Sequence, residues 1–347
     1  MRALLAGLLA MATTAAAQAE PLLARQRLPD VTSMGAMVAV EGYALFFGGS
    51  TSRDVTSQQV LMIDPATGDA WDFGHLPTGM RYQAAAATDM DIYLFGGVHV
   101  GEKRRQWSIR ATAEAPESLP VYDVFQLVDE RFARRTAGAA AVGNEIVLGG
   151  GGVLEPGRRS CVDGMVRTSS FMAFDTVTGD MTELPPLPIG REGAIAAIDD
   201  TVWVVGGFDG CRAINRVWMI SRGEAGWDSE WTDFGLLPAP VSAHALTAAD
   251  DELFLFGDYE QLDRVWRIDT VGLTVHEIPE SGYFPRRHAA AATIGDRIVV
   301  AGGNSSTNAS RRVRYYDAIE VFSVEGLRAA SAPLGPLRPA PPLEEGR

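Results

Sequence analysis

Asp199–Gly210 reads Asp-Asp-Thr-Val-Trp-Val-Val-Gly-Gly-Phe-Asp-Gly. A polar pair opens a short β-branched run, and the run stops at two glycines, which admit backbone angles closed to other residues. The phrase recurs at 43–49, 92–97, 146–151, 202–207, 253–258 and 298–303. Five copies keep Gly-Gly, and the fifth has Gly257-Asp258. Recurrence at a period of roughly fifty residues marks an array of units, none of which buries a core alone.

Working outward from the diglycines, a second regularity lies upstream. Arg81, Arg135, Arg191 and Arg287 each stand fifteen residues before the first glycine of their unit, and Ser33 and Ser242 hold that offset in the other two. A run of small residues follows, as in 84–87, 138–141, 194–197 and 289–292. Such a strand packs only where another backbone comes close, as beside a crowded axis. A polar turn then leads into the diglycine strand. Downstream, apolar runs at 60–63, 171–174, 217–220, 265–268 and 319–322 predict a third strand. Its turn is often Asp-x-x-x-Gly, as at 64–68 and 175–179, a hairpin signal with glycine in the left-handed position. A fourth strand carries Trp71 or Trp231 and ends in Leu-Pro, which suits an outer edge because proline cannot donate to a ladder. In the second unit, Phe125 marks the fourth strand, the third is expected near 106–112, and 114–120 is an insertion.

Six antiparallel units without helical periodicity predict an all-β chain, a six-bladed β-propeller of four-stranded antiparallel blades, since radial repetition protects every sheet edge. Closure is open at this stage. Residues 22–28 or residues 327–334 supply the last blade's outer strand. The Pro-rich stretch 336–347 is expected to be disordered.

The order of Arg or Ser, small residues, apolar strand, Gly-Gly, Asp-turn and Trp resembles the Kelch repeat, over about 22–334. The resemblance implies Kelch-type blades and leaves several functions open. Kelch propellers include protein-binding modules, the copper enzyme galactose oxidase and periplasmic sialic acid mutarotases. In Kelch adaptors similar to this chain in repeat only, Arg and Ser at the mouth of the axis recognise acidic peptides; in the mutarotases the mouth accepts a carboxylated sugar.

Arg2, the apolar stretch 3–12 and Ala17-Gln18-Ala19 read as a secretory signal peptide over 1–19, so the expected propeller spans 20–335. No apolar run reaches the roughly 18 residues of a membrane helix. The formal charge of −14 argues against a nucleic-acid partner, which would favour a basic face. Lys103 is the sole lysine among 30 basic residues, an arginine preference that with the alanine content points to a bacterium and a periplasmic or extracellular address. Cys161 and Cys211, in loops of adjacent units on one face of an exported chain, are expected to form a disulfide.

Strand order brings Arg81, Arg135, Arg191 and Arg287 around one mouth of the axis, with Ser33 and Ser242 between them. Guanidinium forks bind carboxylates in pairs of hydrogen bonds, so the expected ligand is an anionic small molecule, saccharide or acidic protein segment. The competing reading is that the arginines cap backbone carbonyls as part of the repeat. Two long loops, 153–170 with Arg158 and Arg159 and 304–316 with Arg311, Arg312, Arg314, Tyr315 and Tyr316, are candidate walls of a cleft. The histidines, His75, His99, His244, His276 and His288, form no zinc-spaced cluster, so no metal site and no cofactor is expected. Mutarotation would need an acid and a base near the sugar ring; Glu192, Asp209, His244 and His288 lie near the expected face, and Glu192, His244 and His288 are the catalytic candidates. Non-catalytic binding is the first reading and an acidic-sugar mutarotase or epimerase the second.

Overall fold

A computed structural model describes residues 19–53, 55–88, 91–98, 110–112, 134–153, 161, 164–306 and 313–342. The signal-peptide expectation for 1–18 lies outside them, as do Phe125, the insertion 114–120 and Lys103. Apart from one short helix, Val324–Ala329, the regular structure among the described residues is antiparallel β.

Each diglycine run becomes the second strand of a meander. In the first unit Ala36–Val40, Tyr43–Phe47, Gln59–Ile63 and Ala70–His75 pair in order. The third unit repeats this with Gly138–Val142, Glu145–Gly149, Phe171–Asp175 and Met181–Leu184. The fourth has Ile195–Ile198, Thr201–Val205, Ile214–Gly223 and Thr232–Val241, with a small extra strand Gly226–Trp227. The fifth has Ala245–Ala249, Glu252–Phe256, Val265–Asp269 and Thr274–Glu277. The sixth has Ala290–Ile294, Arg297–Ala301 and Tyr316–Ser323, and takes its outer strand, Leu22–Thr32, from the other end of the chain. The second unit differs: Arg81–Ala87, Asp91–Val98 and Arg110–Thr112 form a sheet of three strands among the described residues. The expectation of four strands is thus met in five blades; in the second, three strands lie among the described residues, and the fourth, expected at Phe125, lies outside them.

The alanine- and glycine-rich first strands neighbour one another in a closed circle. Their small side chains allow it: Ala84, Ala86, Ala140, Ala196, Ala245 and Ala290 are buried close to the axis. Larger apolar residues fill the wedges between sheets, for example Phe171 and Val147 against Trp218 and Val204, or Phe46 and Leu61 against Val299 and Val321. The Asp-turns form as expected. Asp64 accepts a hydrogen bond from the Ala66 amide at 2.7 Å and Asp175 from the Val177 amide at 2.8 Å, with Gly68 and Gly179 at φ 78° and 79°. Where the fifth unit lacks its second glycine, Asp258 accepts from the Glu260 amide at 2.7 Å and pairs with Arg264 at 2.6 Å.

Closure is settled in favour of the N-terminal segment. Leu22–Thr32 pairs with Tyr316–Ser323, and Arg25 of that strand meets Glu320 at 2.6 Å, while Arg286 holds the other carboxylate oxygen at 2.6 Å. The alternative donor, 327–334, goes elsewhere. Ala332–Pro336 adds a fifth strand to the fifth sheet beside Thr274–Glu277. The expectation of a disordered tail from Pro336 is corrected for 336–342: Leu337 is buried and its amide donates to the Leu273 carbonyl at 2.8 Å, and Arg338 exchanges two backbone hydrogen bonds with Leu236. An apolar side chain and two free backbone groups, met by an open sheet edge, are enough to order a proline-rich stretch. Residues 343–347 lie outside the description. No helix among the described residues is long and apolar enough to cross a membrane.

Candidate functional site

Ahead of the inner strand, one residue meets the residue that follows the diglycine, through an isolated β-bridge in the first, third, fourth and sixth units. Ser33 bridges Ser50, Arg135 bridges Gly152 and Arg287 bridges Asn304. In the fourth unit the bridge to Phe208 is made by Glu192, not Arg191. The cause is a step missing from the chain. Ile195 pairs with Val204 as Ala139 pairs with Leu148, yet three steps lead from Glu192 to Ile195 and four from Arg135 to Ala139. Arg191 thereby moves into the place of Arg134: the Gly151 amide donates to its carbonyl as the Gly97 amide does to that of Arg134. Its side chain is 1% exposed and stacks 4.9 Å from the Trp218 ring centroid, between blades. Burial lowers its pKa to about 9.

The residue after the bridge is left-handed in five units: Met34, Tyr82, Thr136, Ala243 and His288 have φ between 53° and 65°. Non-glycine residues visit this region at a cost of about 1–2 kcal/mol each. Their amides and carbonyls join into a belt around the axis. Tyr82 donates to the Met34 carbonyl at 2.8 Å, Thr136 to Tyr82 at 2.9 Å, Met34 to His288 at 3.0 Å and His288 to Ala243 at 2.8 Å. The fourth unit, one residue short, passes the belt through Gly193 at φ 156° and makes no such link.

Inside the belt lies a cavity of about 560 Å³. Among the described residues, four arginines line it, Arg135, Arg167, Arg212 and Arg287, against two carboxylates, Glu192 and Glu260. Arg135 stacks on Tyr82 with 4.7 Å to the ring centroid, and Arg287 on Tyr259 with 4.0 Å. Arg287 also donates through Nε to Ser306 Oγ at 3.1 Å. Glu192 Oε1 lies 3.0 Å from Arg167 and 3.7 Å from Arg135. Burial lowers the Arg287 pKa and raises that of Tyr82, which Arg135 and Arg81 oppose. His244 is buried and its pKa is pushed down to about 3, by burial first and then by Arg191 and Arg264. The protein around His288, then Arg287 and Arg135, holds its imidazole well below the usual histidine range. Both rings are neutral at pH 7, so each offers one donor and one acceptor.

Arg135, Arg287, Ser242, Glu192, His244 and His288 therefore meet at one cavity. Three expected mouth residues do not line it. Arg191 is between blades. Arg81 turns aside and donates to Ser50 Oγ at 3.0 Å and to the Arg53 carbonyl at 2.7 Å. Ser33 is fully buried, accepting from Asn304 Nδ2 at 2.8 Å. Of the candidate loop walls, Arg158, Arg159, Arg311 and Arg312 lie outside the described residues. Arg314, Tyr315 and Tyr316 do not line the cavity; Tyr315 bridges Asn304 and Tyr316 packs edge-on against Phe284. Cys161 and Cys211 are disulfide-bonded with Cα atoms 5.0 Å apart, and Cys211 borders the cavity. His75 is exposed beside Asp72, His276 is on an outer strand, and His99 lies outside the described residues. Among the described residues, no group of three or more His, Cys, Asp and Glu is placed to hold a metal ion. Sequence reasoning missed Tyr82, Arg167, Phe208 and Tyr259. Tyr82 had a signal in its place next to Arg81, whereas Tyr259 had none, since only folding brings its loop under Arg287.

The profile of the family described as the KLHDC2/KLHL20/DRC7 Kelch-repeats domain matches residues 34–258 and 136–328. The chain is 25% identical over 194 residues to Kelch-like protein terF of Aspergillus terreus, covering 51% of this chain and 40% of that one. It is 28% identical over 148 residues to an F-box/kelch-repeat protein of Arabidopsis thaliana, covering 37% and 31%. With Kelch-like protein 25 of Rattus norvegicus it shares 25% over 192 residues, covering 52% and 31%. The chain spans less than half the length of each of these relatives. With the repeated diglycine strands, the closed ring of sheets and a family profile spanning most of its length, this chain belongs to the Kelch-repeat family.

Proposed function

We propose that this Kelch propeller binds an anionic ligand, an acidic peptide or saccharide, at the arginine-lined axial cavity, without carrying out chemistry on it. The observation that carries this reading is the local charge: among the described residues, four arginines against two glutamates around one cavity, in a chain of net charge −14. Arg135 and Arg287 are presented on tyrosine faces, which limits their freedom before a ligand arrives and so reduces the ordering cost of binding. An opposite unit charge about 4 Å away is worth roughly 4 kcal/mol in a partly desolvated setting, against about 1 kcal/mol in water. Glu192 is already paired with Arg167 and Arg135, which commits its carboxylate to protein partners and keeps the acidic-sugar mutarotase behind the binding reading. The Cys161–Cys211 disulfide and the apolar stretch 3–12 support an exported protein, since disulfides persist in oxidising compartments.

The test is thermal shift and calorimetry with tetra-aspartate and with free sialic acid. Binding of at least one is expected, weakened by about a hundredfold in the Arg135→Ala/Arg287→Ala double variant, since hydrogen bonds to charged groups contribute about 1.5–3 kcal/mol each. Equal affinity in the double variant, with its fold intact by circular dichroism, would remove the cavity from consideration. Faster anomeric exchange of sialic acid on adding protein would replace binding with the enzyme reading.

A further inference from the structure

The belt of left-handed residues is open at one place, and both of its loose ends border the cavity. Among the described residues, the Thr136 carbonyl accepts no hydrogen bond and the Ala243 amide donates none. Glu192 is committed to Phe208 through both its amide and its carbonyl, each at 2.9 Å. Thr136, Gly193 and Ala243 all line the cavity. Next to Ala243, His244 also faces the cavity while 7% exposed, its ring against the Val205 backbone.

The intact stations show what the gap lacks. At Tyr82 one residue gives its N–H to the preceding unit and its C=O to the following one. A group that repeats this across the gap must carry an N–H and a C=O on either side of one tetrahedral carbon. That pair is the main chain of an amino-acid residue. Inorganic anions and simple carboxylates lack it, and an N-acetyl sugar carries its N–H and C=O on a single planar unit.

We propose that the gap at Gly193 receives one residue of the ligand's peptide backbone, its N–H donating to the Thr136 carbonyl and its C=O accepting from the Ala243 amide. His244 adds a neutral donor or acceptor beside it, and the acidic side chains reach Arg135 and Arg287. This rests on the cavity being the ligand site, and it narrows the ligand class from any anion to a peptide. Loss of one residue from the fourth unit is then what turns a structural belt into a binding site.

The experiment compares tetra-aspartate with analogues in which each amide N–H in turn is replaced by an ester oxygen, by calorimetry on the full chain. One ester position is expected to weaken binding by about tenfold, the value of one hydrogen bond left unmade. A variant with a glycine inserted after Glu192 restores the length of the other units; it is expected to melt at or above the wild-type temperature and to bind tetra-aspartate more weakly. If every ester analogue binds as the parent does, the backbone inference is overturned while the anion reading stands. Binding of sialic acid alone overturns it in favour of a sugar, and binding of neither ligand overturns both readings. Should the insertion variant not fold, the ester series decides by itself.

Discussion

His244 carries its imidazole into a setting that refuses a proton. Its pKa is about 3 when folded, set by burial and then by Arg191 and Arg264, against about 6.5 in the unfolded chain. Between those values the unfolded chain binds a proton that the folded chain excludes, so this contribution is present above pH 6.5 and is lost as pH falls towards 3. At full extent it is on the order of 5 kcal/mol. His288 shifts the same way. Urea unfolding at pH 7.5 and 4.5 should show a steep loss for the wild type and a clearly smaller one for His244→Gln; parallel losses would show that this imidazole is not enclosed. Arg191 makes the same point about legibility. Its offset from Gly206 matched that of Arg135 from Gly150, but the offset counts residues along the chain, and one residue fewer between the bridge and the strand moved its side chain from the mouth to the Trp218 face.

At the scale of elements, the six apolar runs were readable because alternation and diglycine punctuation are local properties. The partner of an edge strand is not local. Leu22–Thr32 and the stretch around Ala332–Pro336 both carried strand-compatible sequence, and each found a different open edge. The N-terminal strand is held by Arg25 and its ion pair with Glu320, a buried carboxylate that also compensates Arg286. The C-terminal strand is held by Leu337, packed among Leu237, Trp266 and Val275. Leu337→Ala should therefore cost about 2–3 kcal/mol, as a buried leucine does, and truncation after Ser331 should cost more. Chemical denaturation checks both. An unchanged midpoint for the truncated chain would mean that the tail lies on the fifth sheet without stabilising it.

For the whole molecule, the disulfide joins the loops of the third and fourth units beside the cavity. Cys161 and Cys211 are 50 residues apart in sequence, and a cross-link over that span reduces unfolded-state entropy by an amount worth about 4 kcal/mol at 25 °C. Cys161→Ser/Cys211→Ser should lower stability by a few kcal/mol and also weaken ligand binding, because Cys211 and its neighbour Arg212 border the site. Thermal melts with and without tetra-aspartate separate the two effects; a variant that loses stability but binds as tightly would place the disulfide outside the recognition surface.

Repetition, strand pattern, turn chemistry and the pairing of the two cysteines could all be read from residue order, because each depends on neighbours in the chain or on a count of two. Which arginines share a cavity could not. That depended on a one-residue difference in the fourth unit, on tyrosines brought under Arg135 and Arg287 by separate blades, and on a hydrogen-bonded belt that exists only when the inner strands meet around an axis. Contacts between residues far apart in the chain arise from closure of the ring, and closure is a property of all the sheets together.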